Sequence, residues 1–520
     1  AAKRATTTLA HHSNRDPYCV LPPTVGALWG VVGVARNSFS SPGTRNCARL
    51  NHRWGGIHSD RDRDCVSARA HTHTHTHMQE DVTVEVESGD RDSGSGSGAH
   101  SLEEVLAALL SHTGGDSSAQ DRLEILKELG CLMYKACLTG DVNTVQGLLA
   151  AGISPVGHPS FLCAAAAAGH TEVAILLLDA GASPSASIPK GTCCLMAACE
   201  GGHHSMVQLL LQRGANPAHR THNGMSCLCV ACQRGYAEVV RLLVQAGAPV
   251  NEEAVTGVNR SLLCLCAHEG HTAVAQELIA GGADVNATGT NGVTALYIAA
   301  RKGHVSMVEC LLQAGALPDL AKDGGFTPLF VAASYGHVFV VELLVRWGVN
   351  IDMRAHNGFS PLSIAAQDGH SMVVERLLYY GADVGAAQRA GATPLYIAAR
   401  KGHESVVTLL VATGVDLFQR KKGGYTCLHA ASYNGHVSIV ERILEAGLPV
   451  DVCSDTGLTS LHAACQKGHL SVVKALLRWG ASLHLLTNDG KSSLFFALWE
   501  KEESVVDYLL QQRPAPDILQ

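Results

Sequence analysis

The sequence contains few aromatic and few charged residues: of its 520 residues, 5% are aromatic and 16% are Asp, Glu, Lys or Arg. A core with so few aromatic side chains has to be packed by small and aliphatic ones, chiefly alanine and leucine. The formal net charge of −7 argues against nonspecific nucleic-acid binding as the main role. The sequence also lacks a P-loop, a G-x-S-x-G elbow, an H-E-x-x-H helix and the kinase signatures. We therefore expect no enzyme, no catalytic residue and no cofactor.

Long apolar runs are missing as well. Residues 18–35 (YCVLPPTVGALWGVVGVA) are the only candidate for a targeting segment. Pro22 and Pro23 interrupt this segment, and its apolar remainder is short for a membrane span. Every other stretch without charge is too short or follows the periodicity described next. We therefore predict no membrane span.

What the sequence does contain is a repeat. TALYIAARKGHVSMVECLLQAGA occupies residues 294–316, and TPLYIAARKGHESVVTLLVATGV occupies residues 393–415, three periods later. TPLFVAASYGHVFVVELLVRWGV from Thr327 and SPLSIAAQDGHSMVVERLLYYGA from Ser360 fill the two periods between them. A fixed period of about 33 residues predicts a stacked solenoid, a class whose extended surface mostly binds other proteins.

One glycine in each unit, which we name the closing glycine, counts the units. Eight of the ten intervals between these glycines equal the period, one is four residues shorter and one is two residues longer. A further step falls on Lys501, which indicates a degenerate last unit, so we predict twelve units over roughly residues 121–513. The closing glycines are Gly140, Gly169, Gly202, Gly235, Gly270, Gly303, Gly336, Gly369, Gly402, Gly435 and Gly468.

The residue types within one unit predict two short helices. Thr327 can cap the first helix through its hydroxyl group, and Pro328 suits a first turn whose backbone N–H has no helical partner. Ala332 and Ala333 are small enough to pack closely on neighbouring units, and Gly336 can take the left-handed conformation that ends the helix. The spacing of apolar residues predicts a buried face on the second helix formed by Val341, Leu343 and Leu344.

These units resemble the ankyrin repeat, whose core reads G-x-T-P-L-H-x-A-A-x-x-G-H-x-x-x-V-x-x-L-L-x-x-G-A. The pattern stands almost intact in GGFTPLFVAASYGHVFVVELLVRWG, GATPLYIAARKGHESVVTLLVATG and TGLTSLHAACQKGHLSVVKALLRWG. The resemblance covers about three quarters of the chain. It implies an all-α ankyrin-repeat solenoid of about twelve helix-turn-helix units with β-turn fingers, preceded by a disordered N-terminal region.

The resemblance also implies where partners bind, because members of this family usually contact them through turn tips and exposed inner-helix residues that line a concave groove. The two residues before each closing glycine hold these positions. Two Arg-Lys pairs three units apart, interleaved with Tyr335 and Tyr433, predict an extended acidic or mixed-charge peptide as ligand. The alternative is that the Arg-Lys pairs only solubilise a helix end and suit its dipole. The predicted partner-binding residues are Arg234, Arg301, Lys302, Tyr335, Asp368, Arg400, Lys401, Tyr433, Asn434 and Lys467.

The 18 cysteines fit the repeat better than they fit disulfides or metal sites. Free cysteine acts as a small apolar residue where the repeat buries an alanine or a proline. A zinc site at Cys229-x-x-Cys232 is the alternative, but the repeat explains this spacing and no separate loop presents the ligands. We expect no metal ion and reduced thiols, hence a cytoplasmic protein, with the nucleus left open. The residues in alanine positions are Cys199, Cys232 and Cys465, and those in proline positions are Cys194, Cys227 and Cys427.

Nine histidines directly follow a closing glycine. We interpret them as turn residues that bond local backbone, since histidine at such a position needs no metal to explain it. Successive units also lie too far apart to share one metal ion. The nine are His170, His203, His271, His304, His337, His370, His403, His436 and His469.

The N-terminal part divides into three segments. HTHTHTH at residues 71–77 matches a translated CA dinucleotide repeat, and Met78 follows at once. We therefore expect residues 1–77 to be a leader that the natural protein lacks, the alternative being a disordered, basic, His-rich tail able to bind metal weakly. Residues 78–100 are acidic and Gly/Ser-rich, which predicts disorder. Residues 101–130 are expected to form capping helices that cover the first unit.

The repeat array is predicted over residues 131–513, with a tail at 514–520. We expect a monomeric, non-catalytic adaptor or scaffold that binds protein partners and makes no direct contact with nucleic acid. One alternative is the substrate-recognition subunit of a ubiquitin ligase, and another is the ankyrin portion of a larger enzyme or channel that continues beyond Gln520. A third is a transcriptional regulator of the inhibitor type.

Overall fold

The computed structural model describes residues 119–189, 191–252 and 261–512, all within one structural unit, Gly98–Gln520. The predictions for residues 1–100, for the start of the capping region and for the tail at 514–520 lie outside the described residues. The same holds for parts of two unusual loops, at residue 190 and at residues 253–260.

Over the described residues the chain forms twelve consecutive pairs of α-helices, which confirms the all-α class and the number of units. The first helix of each pair is called inner and the second outer, and units are numbered from the N-terminus. The inner helices are α1 Ala119–Thr139, α3 Pro159–Ala168, α5 Cys194–Gly201, α7 Cys227–Arg234, α9 Leu262–Glu269, α11 Ala295–Lys302, α13 Pro328–Tyr335, α15 Pro361–Asp368, α17 Pro394–Lys401, α19 Cys427–Tyr433, α21 Ser460–Gln466 and α23 Ser493–Trp499. The outer helices are α2 Val142–Ala150, α4 Thr171–Asp179, α6 His204–Gln212, α8 Ala237–Gln245, α10 Thr272–Ala280, α12 Val305–Gln313, α14 Val338–Arg346, α16 Ser371–Tyr379, α18 Glu404–Ala412, α20 Val437–Glu445, α22 Leu470–Arg478 and α24 Glu503–Gln511.

The fingers are the turns that connect one outer helix to the next inner helix. No strand forms in the described ranges, but isolated bridges close the two tightest fingers, between Lys322 and Phe326 and between Lys421 and Tyr425. A 3₁₀ turn at Thr290–Gly292 shapes the finger of unit 6.

The inner helices begin with the caps that the sequence predicts. In unit 7 the Thr327 hydroxyl accepts a hydrogen bond of 3.1 Å from the backbone N–H of Phe330, and Pro328 occupies the first turn. Thr393 caps α17 in the same way through the N–H of Tyr396. In unit 10 the ring of His429 completes a reciprocal capping box with Thr426, because its Nδ1 accepts the Thr426 backbone N–H. Such side-chain caps satisfy backbone donors that the helix itself leaves without a partner.

The main core is a layer of small and aliphatic side chains between the stacked pairs, and a second cluster contains the buried rings of Phe330, Phe359 and Tyr396. Leu329, Ala332 and Ala333 are buried as predicted. On α14, Val340, Val341 and Leu344 are buried but Leu343 is only half-buried, so the prediction for Leu343 is wrong. The six cysteines in alanine and proline positions are also buried, which confirms their interpretation as apolar core residues.

The nine histidines link consecutive units, and the prediction of a local backbone bond is wrong. The Nε2 atom of His337 donates to the carbonyl oxygen of Arg301 in the preceding inner helix at 2.9 Å, and His403 makes the same bond to Gln367 at 2.8 Å. All nine histidines bond a carbonyl oxygen of the preceding unit, at 2.8–3.3 Å. The last carbonyls of a helix have no partner within it, and these rings supply one. Each such bond is called a histidine rung below.

The closing glycines make room for the histidine ring of the next unit, and they also adopt the left-handed conformation that ends the inner helix. Gly369 has φ +80°, and a Cβ added there would lie 2.6 Å from Nδ1 of His403. Gly402 has φ +86°, and its Cβ would lie 2.6 Å from Cε1 of His436. Glycine is therefore needed twice at this position, for the left-handed turn and for the close approach of the next unit's ring.

The last unit departs from the pattern as the sequence predicts. Lys501 stands where a closing glycine is expected and has φ +64°, one of the two left-handed non-glycine residues among those described. Glu502 replaces the histidine and lies against Gly468 of unit 11. At the other end, α1 runs from Ala119 to Thr139, so the predicted boundary at residue 130 falls inside a helix.

Candidate partner-binding surface

The predicted site residues lie at the C-terminal ends of the inner helices, each just before a closing glycine. Lys302, Tyr335, Lys401, Tyr433 and Lys467 are exposed, and 54% of the Tyr335 side chain is accessible. Arg234 and Asn434 are exposed too, whereas Arg301, Asp368 and Arg400 are half-buried. The position recurs in every unit, so these side chains form a row along the array.

Several of these side chains contact the neighbouring unit. Arg234 forms an ion pair of 3.1 Å with Glu200 on the preceding inner helix. The Ser334 hydroxyl donates to Asp368 at 3.0 Å, again between successive units. The ammonium group of Lys467 lies 5.0 Å from the centroid of the Tyr433 ring, a cation–π distance. These contacts hold the side chains of the row in place.

The row continues onto the fingers. In unit 7, Nζ of Lys322 lies 5.4 Å from the ring centroid of Tyr297 on the inner helix of unit 6. In unit 10, Nζ of Lys421 lies 5.5 Å from the ring centroid of Tyr396 on the inner helix of unit 9. Each lysine therefore closes a gap between its own finger and the preceding inner helix.

The electrostatics of the second of these contacts are unusual. Burial lowers the pKa of Lys421, and the neighbouring Arg400 guanidinium lowers it further. Burial also raises the pKa of Tyr396 to about 12. Two like charges are thus held close together beside a neutral phenol, an arrangement that a bound carboxylate would stabilise.

The prediction from sequence missed the finger residues of units 9 and 10. Arg389, Arg420 and Lys422 are exposed, and the backbone N–H of Lys422 donates to the carbonyl oxygen of Ala390 at 3.0 Å, so the two fingers touch. The short run Arg420-Lys421-Lys422 is visible in the sequence, but only the stacking of the fingers brings it beside Arg389. Comparing each finger with the one three units earlier would have found it.

The zinc alternative concerned Cys229 and Cys232. Both are fully buried inside α7, and burial raises the pKa of the Cys232 thiol. Within the described parts of the chain, no group of three or more His, Cys, Asp or Glu side chains is arranged to hold a metal ion. Membrane crossing was tested in the same ranges, and none of those helices has the required length and apolar character.

The repeated geometry agrees with a comparison to known families. A family model described as ankyrin repeats (3 copies) matches residues 162–254, 263–355, 362–452 and 428–519. These matches cover more than half of the chain, and the protein therefore belongs to the ankyrin-repeat family. Ankyrin repeats generally mediate contacts between proteins, and family members are typically interaction modules without catalytic activity.

A comparison with curated proteins gave no match. Among solved structures, the crystal structure of the human ASB11 ankyrin repeat domain is similar, with 28% sequence identity. The match covers 42% of this chain and 98% of that one, with a TM-score of 0.40.

Proposed function

We propose that this protein is a non-catalytic adaptor or scaffold that holds partner proteins along the row of inner-helix ends and fingers. The observation that supports this best is a contrast within a few residues of each inner helix. The alanine pair Ala332-Ala333 is fully buried, and the same pair is buried at Ala365-Ala366 and Ala398-Ala399. The next two residues, by contrast, are accessible and differ in kind from one unit to the next.

The chemistry of these variable residues supports a protein partner. Tyr335 and Tyr433 are large rings that remain accessible at 54% and 41%, and the intervening units contribute Arg400 and Lys401. Tyrosine and arginine dominate the binding energy of protein interfaces. An extended segment of acidic or mixed charge would meet rings and cations alternately along the row.

The proposal extends to the state of the protein in the cell. None of the cysteines that the structure describes forms a disulfide, which favours a reducing compartment. We accordingly propose a monomer that acts in the cytoplasm, with the nucleus as the alternative, and that makes no direct contact with nucleic acid.

The test is charge reversal on the row. A variant with Arg301→Glu, Lys302→Glu, Arg400→Glu and Lys401→Glu is compared with the wild type by proximity labelling in cells. A control variant reverses cations away from the row, three of them exposed and Arg241 half-buried (Lys135→Glu, Arg241→Glu, Arg442→Glu and Arg478→Glu). We expect a defined set of labelled proteins to be lost from the first variant and retained by the control. Unchanged labelling in a first variant that keeps its helical circular dichroism and melting temperature would reject the proposal.

A further inference from the structure

Positive charge is concentrated in two adjacent units of the array. Residues 384–403 of unit 9 and residues 417–436 of unit 10, which cover the inner helix and the part of its finger that follows Asp383 or Asp416, contain six Lys and Arg residues and no Asp or Glu. Unit 8 before them carries Asp352 and Asp368 over the corresponding positions, and unit 11 after them carries Asp451 and Asp455. The six cations, named the basic patch below, are Arg389, Arg400, Lys401, Arg420, Lys421 and Lys422.

The stacking of units 9 and 10 brings these cations together. A Cβ added to Gly391 would lie only 3.3 Å from the backbone nitrogen of Lys422, so the two finger tips are in direct contact. Lys421 reaches back over Tyr396, beside Arg400. Four members of the basic patch are exposed and the other two are half-buried. Segments from two separate units thus form one surface.

A second observation sets the same two units apart. From unit 5 to unit 8, an Asn or Asp side chain in each finger accepts the backbone N–H of the next finger, as when Asp352 accepts from Asp383 at 2.9 Å. We name this contact the finger rung. In units 9 and 10 the accepting residue is replaced by Gly385 and Phe418. Unit 11 resumes the pattern, with Asp451 accepting from Ser482 at 3.1 Å. The accepting residues are Asn251, Asn286, Asp319, Asp352 and Asp451.

The missing rungs weaken the packing between fingers where the cations lie. A hydrogen bond of this kind contributes about 1 kcal/mol. At the second interrupted position, Phe418 is 55% exposed. Near the first, at Gly385, Oε1 of Gln419 is buried without a hydrogen-bond partner. The early units also lack acidic residues at this position (Val156, Ser185 and Ala218), but no comparable group of cations accompanies them. Where a sequence departs from a pattern that its other repeats keep, a functional reason for the departure is expected.

We propose that the basic patch binds an acidic, extended segment of a partner protein. Carboxylates form short, charge-assisted hydrogen bonds with guanidinium and ammonium groups, and the loss of the finger-rung carboxylates removes their competitors. At about 3.3 Å per residue, an extended segment of about ten residues is about 33 Å long. This inference rests on the proposed function and adds the units and the partner chemistry to it.

The chain contains its own matched control. Units 6 and 7 are homologous in pattern to units 9 and 10, three periods earlier, and keep the lysine over the tyrosine. Where the basic patch has Arg389, Arg420 and Lys422, the earlier copy has Thr290, Ala321 and Asp323. Exchanging these three residues tests the patch on a related pair of fingers, one of which differs by the 3₁₀ turn at Thr290–Gly292.

The probe is a fluorescent peptide of about ten residues that alternates Glu with Gly, with a Gln-for-Glu peptide as its control, measured by fluorescence anisotropy at several salt concentrations. The loss variant is Arg389→Thr, Arg420→Ala and Lys422→Asp. The gain variant adds Thr290→Arg, Ala321→Arg and Asp323→Lys to it. We expect the loss variant to weaken binding about tenfold or more and the gain variant to restore at least half of that loss. A single-stranded oligonucleotide is tested alongside.

Three results would overturn the inference: equal binding of the Glu and Gln peptides, binding of the Glu peptide unaffected by the loss variant, or tighter patch-dependent binding of the oligonucleotide. The last would assign the patch to nucleic acid. The first two results leave the proposed function intact if the row variant with Arg301→Glu and its companions still loses its labelled partners, whereas the third would also reject the proposed lack of contact with nucleic acid. Conversely, unchanged labelling in that variant together with patch-dependent binding of the Glu peptide would retain the patch and reject the wider row.

Discussion

Two parts of this array follow the same pattern three periods apart, and they differ both in the core, where His429 replaces Phe330, and at the surface. Units 6 and 7 and units 9 and 10 share the Thr cap, the Arg-Lys pair and a finger lysine above an inner-helix tyrosine. The histidine rung is present at both places, from His337 and from His436. The finger rung is present only in the earlier copy, where Asn286 accepts from Leu317 at 2.8 Å.

The comparison separates two sets of contacts. Core, closing glycine and histidine rung hold one unit on the next, and the two copies share the closing glycine and the histidine rung. The two copies differ both in surface charge and in the finger rungs. The later copy therefore has a basic surface where the earlier copy has fixed contacts between fingers. The predictions below address these two sets of contacts in the two copies and in unit 8 between them, beginning with the closing glycine.

The largest effect is expected for the closing glycines. Gly369→Ala and Gly402→Ala each combine left-handed strain with a clash against the ring of His403 or His436. We expect each to lower the free energy of unfolding by about 3 kcal/mol, measured by urea denaturation. The loss in free energy of unfolding should be similar for the two variants, because each disturbs the same kind of histidine rung.

Gly348 and Gly414 provide the control for this prediction. They have φ +81° and +73°, but a Cβ added to either meets no atom within 4 Å. Their replacement by Ala should therefore cost only the backbone strain, about 1 kcal/mol. Equal losses at all four glycines would show that contact with the ring contributes nothing.

The second prediction concerns pH and unit 10, where His429 stands at the position of Tyr396. Burial, with smaller contributions from Arg420 and His462, lowers the pKa of His429 to about 4. The unfolded chain, with a histidine pKa near 6.5, therefore binds more protons than the folded chain between these values. Stability is fully present above about pH 6.5 and falls as pH is lowered, by about 2 kcal/mol between pH 6.5 and pH 5 from this group alone.

The measurement is urea unfolding of the wild type and of His429→Tyr at pH 7, 6 and 5. The variant should show a shallower loss of stability with acid, whatever its stability at pH 7. His462 has a lowered pKa for the same main reason, burial, and accounts for part of the slope that remains. Identical slopes, or a histidine resonance of residue 429 that titrates near pH 6.5 by NMR, would contradict the assignment.

The third prediction removes a finger rung in unit 8 and adds one in unit 9. Asp352→Ala removes the bond to the N–H of Asp383 and should cost about 1 kcal/mol. Gly385→Asn places an acceptor opposite the N–H of Asp416 and removes a flexible glycine, so it should add about 1 kcal/mol. Both are measured by urea unfolding, with Asp352→Asn as the control that keeps the acceptor. A destabilised Gly385→Asn would mean that the two copies differ in finger spacing as well.

The smallest effect is expected at Phe418. The residue opposite it in the next finger is Pro449, which has no N–H to donate. Phe418→Asn should therefore change the free energy of unfolding by less than about 0.5 kcal/mol. The double variant Phe418→Asn, Pro449→Ala should gain stability over Pro449→Ala alone, because it completes the rung. If Phe418→Asn alone increases the free energy of unfolding, the stabilisation expected from Gly385→Asn cannot be attributed to the finger-rung hydrogen bond.

Most of the fold could be predicted from the sequence because each unit repeats the same local chemistry. Thr327, Pro328 and Gly336 fix the ends of one inner helix, and their recurrence gives the number of units without any knowledge of contacts. Cys232 could be assigned to the core from its register alone. The partner of His337 could not, since the pattern defines a place within a unit but not the carbonyl that the ring meets in the unit before.

The candidate surface was predicted only in part for the same reason. Arg400 and Lys401 stand out because they precede a closing glycine. Arg389 and Lys422 lie in different fingers, and nothing in a one-dimensional pattern brings the turns of two successive units into contact. Leu343 was misjudged because helical spacing fixes the direction of a side chain but not how far the neighbouring helix covers it.

The sequence by itself determined the class of this protein, the number of its units and the register of its core, since these follow from short-range steric preferences that recur in every unit. The tertiary structure decided which residues of different units meet: the histidine rungs, the finger rungs and their interruption, and the gathering of six cations on two touching fingers. Such contacts depend on how stacked units approach each other in space, and that distance is a property of the packed array rather than of any single repeat.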